Sequence, residues 1–403
     1  MYMAAVEYDP FSLALEDDPY PTYRRLRDEA PLYHSDKWGF WALSRFEDVR
    51  NAARDWRTFS SAEGMDIDAP RWAGAGAITD LDPPRHDLLR NVVRNAFQTT
   101  NLNTLAPKIQ RDTDQLVESF VERGSADLAQ ELAWALPYLV FFDFMGLPHE
   151  PILRKWSDDF RERTEGKEPT QVALDAMENT RRYLADALTD RRKSPRDDLL
   201  TEIVNARIDG EPLAQPVIET HSEIVGLCFL LFIAGTDTTA GLIAKALHLL
   251  AQHPDQRARL VAHPEQIPGA VEETLRYDTP LQIAARNTTA PVTLHGGTIP
   301  NGGRVVLIFG AGNRDDREFD EPDRFDITRN IKRTLAFGEG IHFCLGAPLA
   351  RLEARIALET VLARIPDYAI SGEVQRSSST VNMRVLWRLP AAFTPRKANV
   401  LAS

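Results

Sequence analysis

Residues Phe337-Gly338-Glu339-Gly340-Ile341-His342-Phe343-Cys344-Leu345-Gly346 read as a loop that runs into a helix. Gly338 and Gly340 open backbone conformations closed to other residues and let a bulky ligand come close. Beyond Leu345, apolar residues recur at helical spacing (Leu349, Leu352, Ile356, Leu358 and Leu362), and no proline follows Pro348 until Pro366. The pattern predicts a helix with Cys344 at its N-terminus, where free N–H groups and the positive end of the dipole stabilise a thiolate. A thiolate among glycines suits axial ligation of iron better than a disulfide. The competing reading is a buried structural cysteine.

The full ten-residue pattern resembles the haem-binding signature of cytochrome P450 enzymes, matching at Phe337, Gly338, Gly340, His342, Cys344 and Gly346. The resemblance implies that Cys344 is the iron ligand, with Phe337, Gly338 and Gly346 packed against the haem. The implied fold is mainly α with small β-sheets, an α-rich triangular prism formed by residues 1–403 as a single haem domain. No Cys-x-x-Cys-His attachment occurs in the sequence, so haem b would be held by ligation and packing.

A second centre lies on a long helix predicted over residues 216–251, at Ala234-Gly235-Thr236-Asp237-Thr238-Thr239. An apolar helix has no structural need for Gly, Asp and Thr in its middle, since each weakens it. Gly235 would permit close approach of a flat ligand or a local opening; Asp237 and Thr238 supply an acid and a hydroxyl. The plain alternative is a kinked helix with a satisfied polar pair. The segment resembles the family's oxygen-activation motif, which implies a proton-relaying pair in Asp237 and Thr238, Ala234 against the haem, and Leu230 and Ile233 facing substrate.

Other matches follow in order along the chain. His86 and Arg90 share one face of a helix predicted over 85–97; by themselves they read as a solvated face. They resemble the family's His-x-x-x-Arg propionate pair, and Arg286 resembles its second propionate-binding arginine. Glu273 and Arg276 resemble the buried Glu-x-x-Arg, with Arg324 as the implied third, structural member. Leu281 and Ile283, before Arg286, would face the pocket, as would Met383 in a last turn near Asn382. Val385 stands where similar bacterial proteins commonly have glycine. From Ser60 to Asp80 helical and strand periodicity vanish and glycines and prolines interrupt; Met65, Ile67 and Trp72 give this stretch apolar side chains, as in a substrate lid. Glu63, Asp66 and Asp68 there would repel a carboxylate.

Elsewhere, patterns predict a strand at 40–43, a capping box of Ser44 and Glu47 opening a helix at 47–53, helices near 105–122, 128–145, 151–163 and 170–192, a hairpin at 293–299 and a strand at 304–309. The composition, 43% hydrophobic and 26% charged, is ordinary for a soluble globular protein. A net charge of −12 gives nucleic-acid binding no electrostatic support. Two cysteines allow neither a disulfide framework nor zinc spacing, as expected in a reducing compartment. The first residues lack a basic region followed by an apolar one, and the apolar run 224–234 is too short to span a bilayer. A cytoplasmic protein with no membrane partner is expected.

The resemblance implies a haem-thiolate monooxygenase that uses O2 and hydroxylates or dealkylates a mostly apolar small molecule. Two electrons would come from a separate ferredoxin-type donor and its reductase, for which Lys332, Arg333, Arg351 and Arg355 could form a docking patch, or simply a solvated charged face. Two alternatives are an H2O2-dependent peroxygenase, which needs no acid–alcohol pair, and a non-enzymatic haem sensor or gas carrier, which would usually employ His as ligand.

Overall fold

The computed structural model describes residues 6–12, 15, 17–67, 76–160, 162, 168–377 and 381–399. Its centre is the helix Glu223–Gln252, apolar on nearly all faces. A helix hydrophobic all round must be surrounded, and two core clusters flank this one. Its N-terminal half packs with Ala135–Met145 and Gln171–Lys193, in a core cluster that Leu199–Asn205 also joins. Its C-terminal half packs with Ile267–Tyr277 and Ala347–Arg364, in a core cluster that Thr99–Glu118 also joins. The helix is long and apolar enough to cross a membrane by length and composition, but 78% of its most apolar 18-residue window is buried within the fold. Its apolar character resumes beyond the polar centre, which the shorter run 224–234 did not reveal.

The strands form a separate flank. A five-stranded sheet has the order Leu32–Ser35, Phe40–Leu43, Arg304–Ile308, Ile283–Thr288, Phe59–Ser60. All its pairings are antiparallel except Arg304–Ile308 with Phe40–Leu43, where Val305 lies opposite Trp41. The predicted hairpin is present as Val292–Leu294 paired with Gly297–Ile299.

Several local expectations are corrected. The long helix begins at Glu223 rather than Pro216; Val217 is largely exposed, so the preceding stretch has no face to bury. Residues 128–145 are a π-helical turn, Ala129–Ala133, followed by the helix Ala135–Met145. The π turn is tied to the C-terminal strand, with Gln130 Nε2 donating to the Trp387 carbonyl at 2.6 Å and Trp134 Nε1 to that of Leu386 at 2.9 Å. No Ser44–Glu47 capping box forms. The Phe46 N–H instead donates to Asp315 Oδ2 at 2.8 Å, a cap supplied from far along the chain, while Ser44 Oγ is buried with no partner among the described residues. The helix Leu199–Asn205, capped by Asp198 accepting from the Thr201 N–H, was not anticipated.

Glu273 and Arg276 are wholly buried, joined by two bonds of 2.7 and 2.8 Å. Their third member is Arg329, whose Nε lies 3.4 Å from Glu273 Oε2. The Arg324 side chain points to solvent and pairs with Glu321 at 3.0 Å; only its backbone carbonyl accepts from Arg276, at 3.2 Å.

Candidate active site

The loop ahead of the helix Ala347–Arg364 is closed by the Cys344 N–H donating to the Phe337 carbonyl at 2.9 Å. Gly338 and Gly340 both have φ of +69°, and a Cβ on Gly340 would lie 2.9 Å from the Ala53 carbonyl oxygen. Glycine is therefore required at Gly340 twice over. Burial raises the Cys344 thiol above its ordinary value, opposed by the N–H groups of Gly346 and Ala347 and by Arg90. The helix end acts as the sequence predicted but does not outweigh burial. A thiolate here needs a further positive partner in the cavity above it.

That cavity measures about 760 Å³. It brings together Cys344, Phe337, Gly338, His342 and Gly346 from the loop, and Leu230, Ile233, Ala234, Asp237 and Thr238 from the long helix. Met65, Leu281, Met383, Arg90 and Arg286 complete the wall among the residues expected there. The sequence reading did not nominate Phe97, Phe141, Phe144 or Phe309, which also line it; these apolar side chains carry no signal distinguishing pocket from core.

Ile283 is a correction. It is buried against Tyr8, Tyr23 and Leu26 on the other side of the sheet, and Ala284 and Arg286 take the cavity face. Side chains alternate along a strand, but the strand begins at Ile283, and Leu281 belongs to a separate bridge opposite Met383. The break at Gln282 shifts the phase by one residue. Trp72 lies outside the described residues.

One end of the cavity gathers Arg90, Arg286 and His342; His86 does not line it but is buried behind His342. The His86 and His342 rings lie 4.6 Å apart. Burial, then Arg286, His86 and Arg90, push His342 well below its ordinary value, so it is neutral near pH 7; its Nε2 lies 3.0 Å from Ser61 Oγ. Burial lowers Arg286 to about 10, with Asp82 opposing. His86 Nε2 is buried with no partner among the described residues. Arg90 donates to the Phe343 carbonyl. Clustered cationic and donor groups at a buried site call for an anion. A flat ligand carrying carboxylates at one edge, with a metal cation over Cys344, fits both the donor cluster and the raised thiol.

Across the cavity the helix runs unbroken through Gly235. Among the described residues a Cβ there would meet only Phe141, at 3.8 Å, so their packing does not demand this glycine and the space it leaves belongs to the cavity. Thr238 Oγ1 donates to the Ala234 carbonyl at 2.8 Å, and Asp237 Oδ1 accepts from Thr236 Oγ1 at 3.2 Å. Asp237 is buried yet lines the cavity.

On the opposite face, three of the four expected docking cations are already paired. Arg333 pairs with Glu318 and Glu47, Arg351 with Glu272 and Arg355 with Glu359; Lys332 is exposed.

Comparison with known proteins follows the same lines. The family model described as Cytochrome P450 matches residues 129–366. Cytochrome P450 107B1 of Saccharopolyspora erythraea is 37% identical over 399 residues, covering 94% of this chain and 96% of that one. The cytochrome P450 monooxygenase PikC of Streptomyces venezuelae is 38% identical over 367 residues, covering 88% and 85%. Among solved structures, the Bacillus subtilis 168 bacillaene polyketide synthase cytochrome P450 PksS superposes with a TM-score of 0.87 at 30% identity, covering 96% of this chain and all of that one.

Proposed function

The chain belongs to the cytochrome P450 family and is a P450 monooxygenase, and from that premise we propose that it holds haem b through Cys344 and oxidises a mostly apolar small molecule inside the cavity described above. The observation that carries this reading is the meeting, in one cavity, of the Cys344 loop, a cluster of propionate-compatible donors and the Asp237–Thr238 pair. Haem b, when bound, supplies O2 binding, O–O cleavage and insertion of one oxygen atom into substrate.

The protein's own contribution is ligation, position and protons. Cys344 gives the thiolate, which the N–H groups of Gly346 and Ala347 help to keep charged. Arg90, Arg286, His86 and His342 hold the two carboxylates; buried charges need such partners. Phe337, Gly338, Gly346 and Ala234 pack against the flat ring. Leu230, Ile233, Leu281, Met65 and Met383 exclude water and hold substrate. Asp237 takes up and returns a proton, while the Thr238 hydroxyl, donating to Ala234, keeps its lone pairs free to accept from a water and orient it.

Residues 1–403 act as one haem domain in the cytoplasm on this reading, using O2 and two electrons from a separate ferredoxin-type carrier and its reductase. The carrier docks on the Cys344 side; with Arg333, Arg351 and Arg355 already paired, Lys332 is the cation left for it among the four. NADH-supported turnover with a surrogate ferredoxin system tests the assignment. Turnover with H2O2 alone would favour a peroxygenase, which has no use for the Asp237–Thr238 pair, and absence of turnover with either would leave a haem sensor or gas carrier.

A further inference from the structure

Lys245 lies on the long helix, 1% exposed, in a region that the proposed chemistry does not use. Its ammonium donates to Asp278 Oδ1 at 2.9 Å, to the Asp278 carbonyl at 3.2 Å and to the Thr279 carbonyl at 3.1 Å. All three of its protons are thereby satisfied. Asp278 Oδ1 also accepts from the Tyr20 hydroxyl at 2.8 Å, and Oδ2 from Arg384 Nη1 at 2.5 Å. Burial works against the charge on both Lys245 and Asp278. Arg384 and Lys245 nevertheless hold the Asp278 carboxyl well below its ordinary range.

A buried ion pair is weak evidence of a stabilising device, because desolvation offsets most of the attraction; its best-attested use is to fix register. The register here is that of the cavity wall. Arg384 directly follows Met383, and its N–H donates to the Pro280 carbonyl at 2.8 Å; the Gln282 N–H donates to the Asn382 carbonyl at 2.7 Å. Leu281 and Met383 face each other as a bridge, and both line the cavity. On the helix, Lys245 comes two turns after Thr238, roughly 10 Å along the same face. One polar cluster thus clamps the two substrate-facing segments to the helix that carries the reacting pair.

We propose that Lys245, Asp278 and Arg384 are positioning residues that set the height of Leu281 and Met383 against the Asp237–Thr238 face, and so set how far a substrate of given length enters the cavity. This rests on the haem-thiolate reading above. Two iron-binding probes of different reach test it: imidazole, too small to meet Leu281 and Met383, and 4-phenylimidazole, whose ring extends into the cavity. Lys245→Met is expected to weaken 4-phenylimidazole about tenfold, read from the Soret shift, and to leave imidazole affinity unchanged. Tyr20→Phe removes a single donor from Asp278 and should move the same ratio in the same direction by a smaller factor, which keeps the test open should Lys245→Met fail to fold. An unchanged ratio in both variants, or equal losses for both probes, overturns the positioning role. A wild-type protein without the red-shifted CO band would overturn the thiolate reading instead; the azole ratio needs only haem iron and still decides this proposal.

Discussion

A Cβ placed on Gly241 would stand 2.5 Å from Cγ1 of Val385 and 3.2 Å from Cβ of Pro280. The room for the Val385 side chain comes from the glycine opposite, on the long helix. Alanine in mid-helix ordinarily gains roughly 1 kcal/mol over glycine; overpacking costs about 1–3 kcal/mol. Gly241→Ala should therefore lower stability by up to about 2 kcal/mol, and Gly241→Ala with Val385→Ala should recover it. Urea unfolding of the three proteins measures this. A more stable single variant would mean that Val385 simply moves aside.

The corrected ion-pair cluster gives a sharper contrast. Arg329→Ala removes a partner from a fully buried carboxylate and should cost about 3 kcal/mol or more. Arg324→Ala removes an exposed side chain and should stay within about 0.5 kcal/mol. Equal unfolding midpoints for the two variants would return the third position to Arg324.

These two cases mark what could be read from the residues. Motifs whose chemistry is local were legible: the Cys344 loop, the polar centre of the long helix, and the strand and hairpin patterns. What failed depended on distant partners. Arg324 and Arg329 are both exposed-looking arginines in one polar stretch, and only the packing on Glu273 tells them apart. The cap of Phe46 by Asp315 spans 269 residues, so the local Ser44–Glu47 pattern pointed the wrong way. Ile283 failed for a different reason, since alternation counts faces correctly only inside an unbroken strand, and the break at Gln282 carries no sequence mark. The Lys245 cluster was invisible because a lysine in an apolar helix gives no hint of three acceptors waiting.

The thiolate assignment predicts a strongly red-shifted Soret band for the reduced CO complex. Cys344→His should bind haem and show the ordinary Soret position. A red-shifted band that survives in Cys344→His would remove Cys344 from the iron.

Haem retention should separate the two arginines. Arg286 is wholly buried, whereas Arg90 is more exposed and also holds the Phe343 carbonyl in the ligand loop. Both Arg286→Ala and Arg90→Ala should lose haem faster to apomyoglobin, with the Soret band of retained haem unmoved. Only Arg90→Ala should in addition loosen the loop, seen as faster amide exchange at Phe343 and Cys344. Wild-type haem transfer rates in both variants would count against their role as propionate partners.

The last expectation concerns coupling of electrons to product. Thr238 already donates its proton to the Ala234 carbonyl, so what it offers the cavity is an acceptor that can orient a water. Asp237 is buried beside it, held by Thr236, and is the group able to take up and release a proton. The two therefore fail differently. Thr238→Ala leaves the acid in place but the water unplaced, so substrate should bind, electrons should be accepted, and much of the oxygen should leave as H2O2. Asp237→Asn keeps the shape but slows proton supply, so the overall rate should fall while the fraction of NADH recovered as product changes less. General acid–base contributions are typically about 10²–10⁴-fold, so either defect is large enough to measure. Product formed and peroxide released per NADH consumed distinguish the two. Wild-type rate and coupling in Thr238→Ala would reduce the pair to a polar feature of the helix.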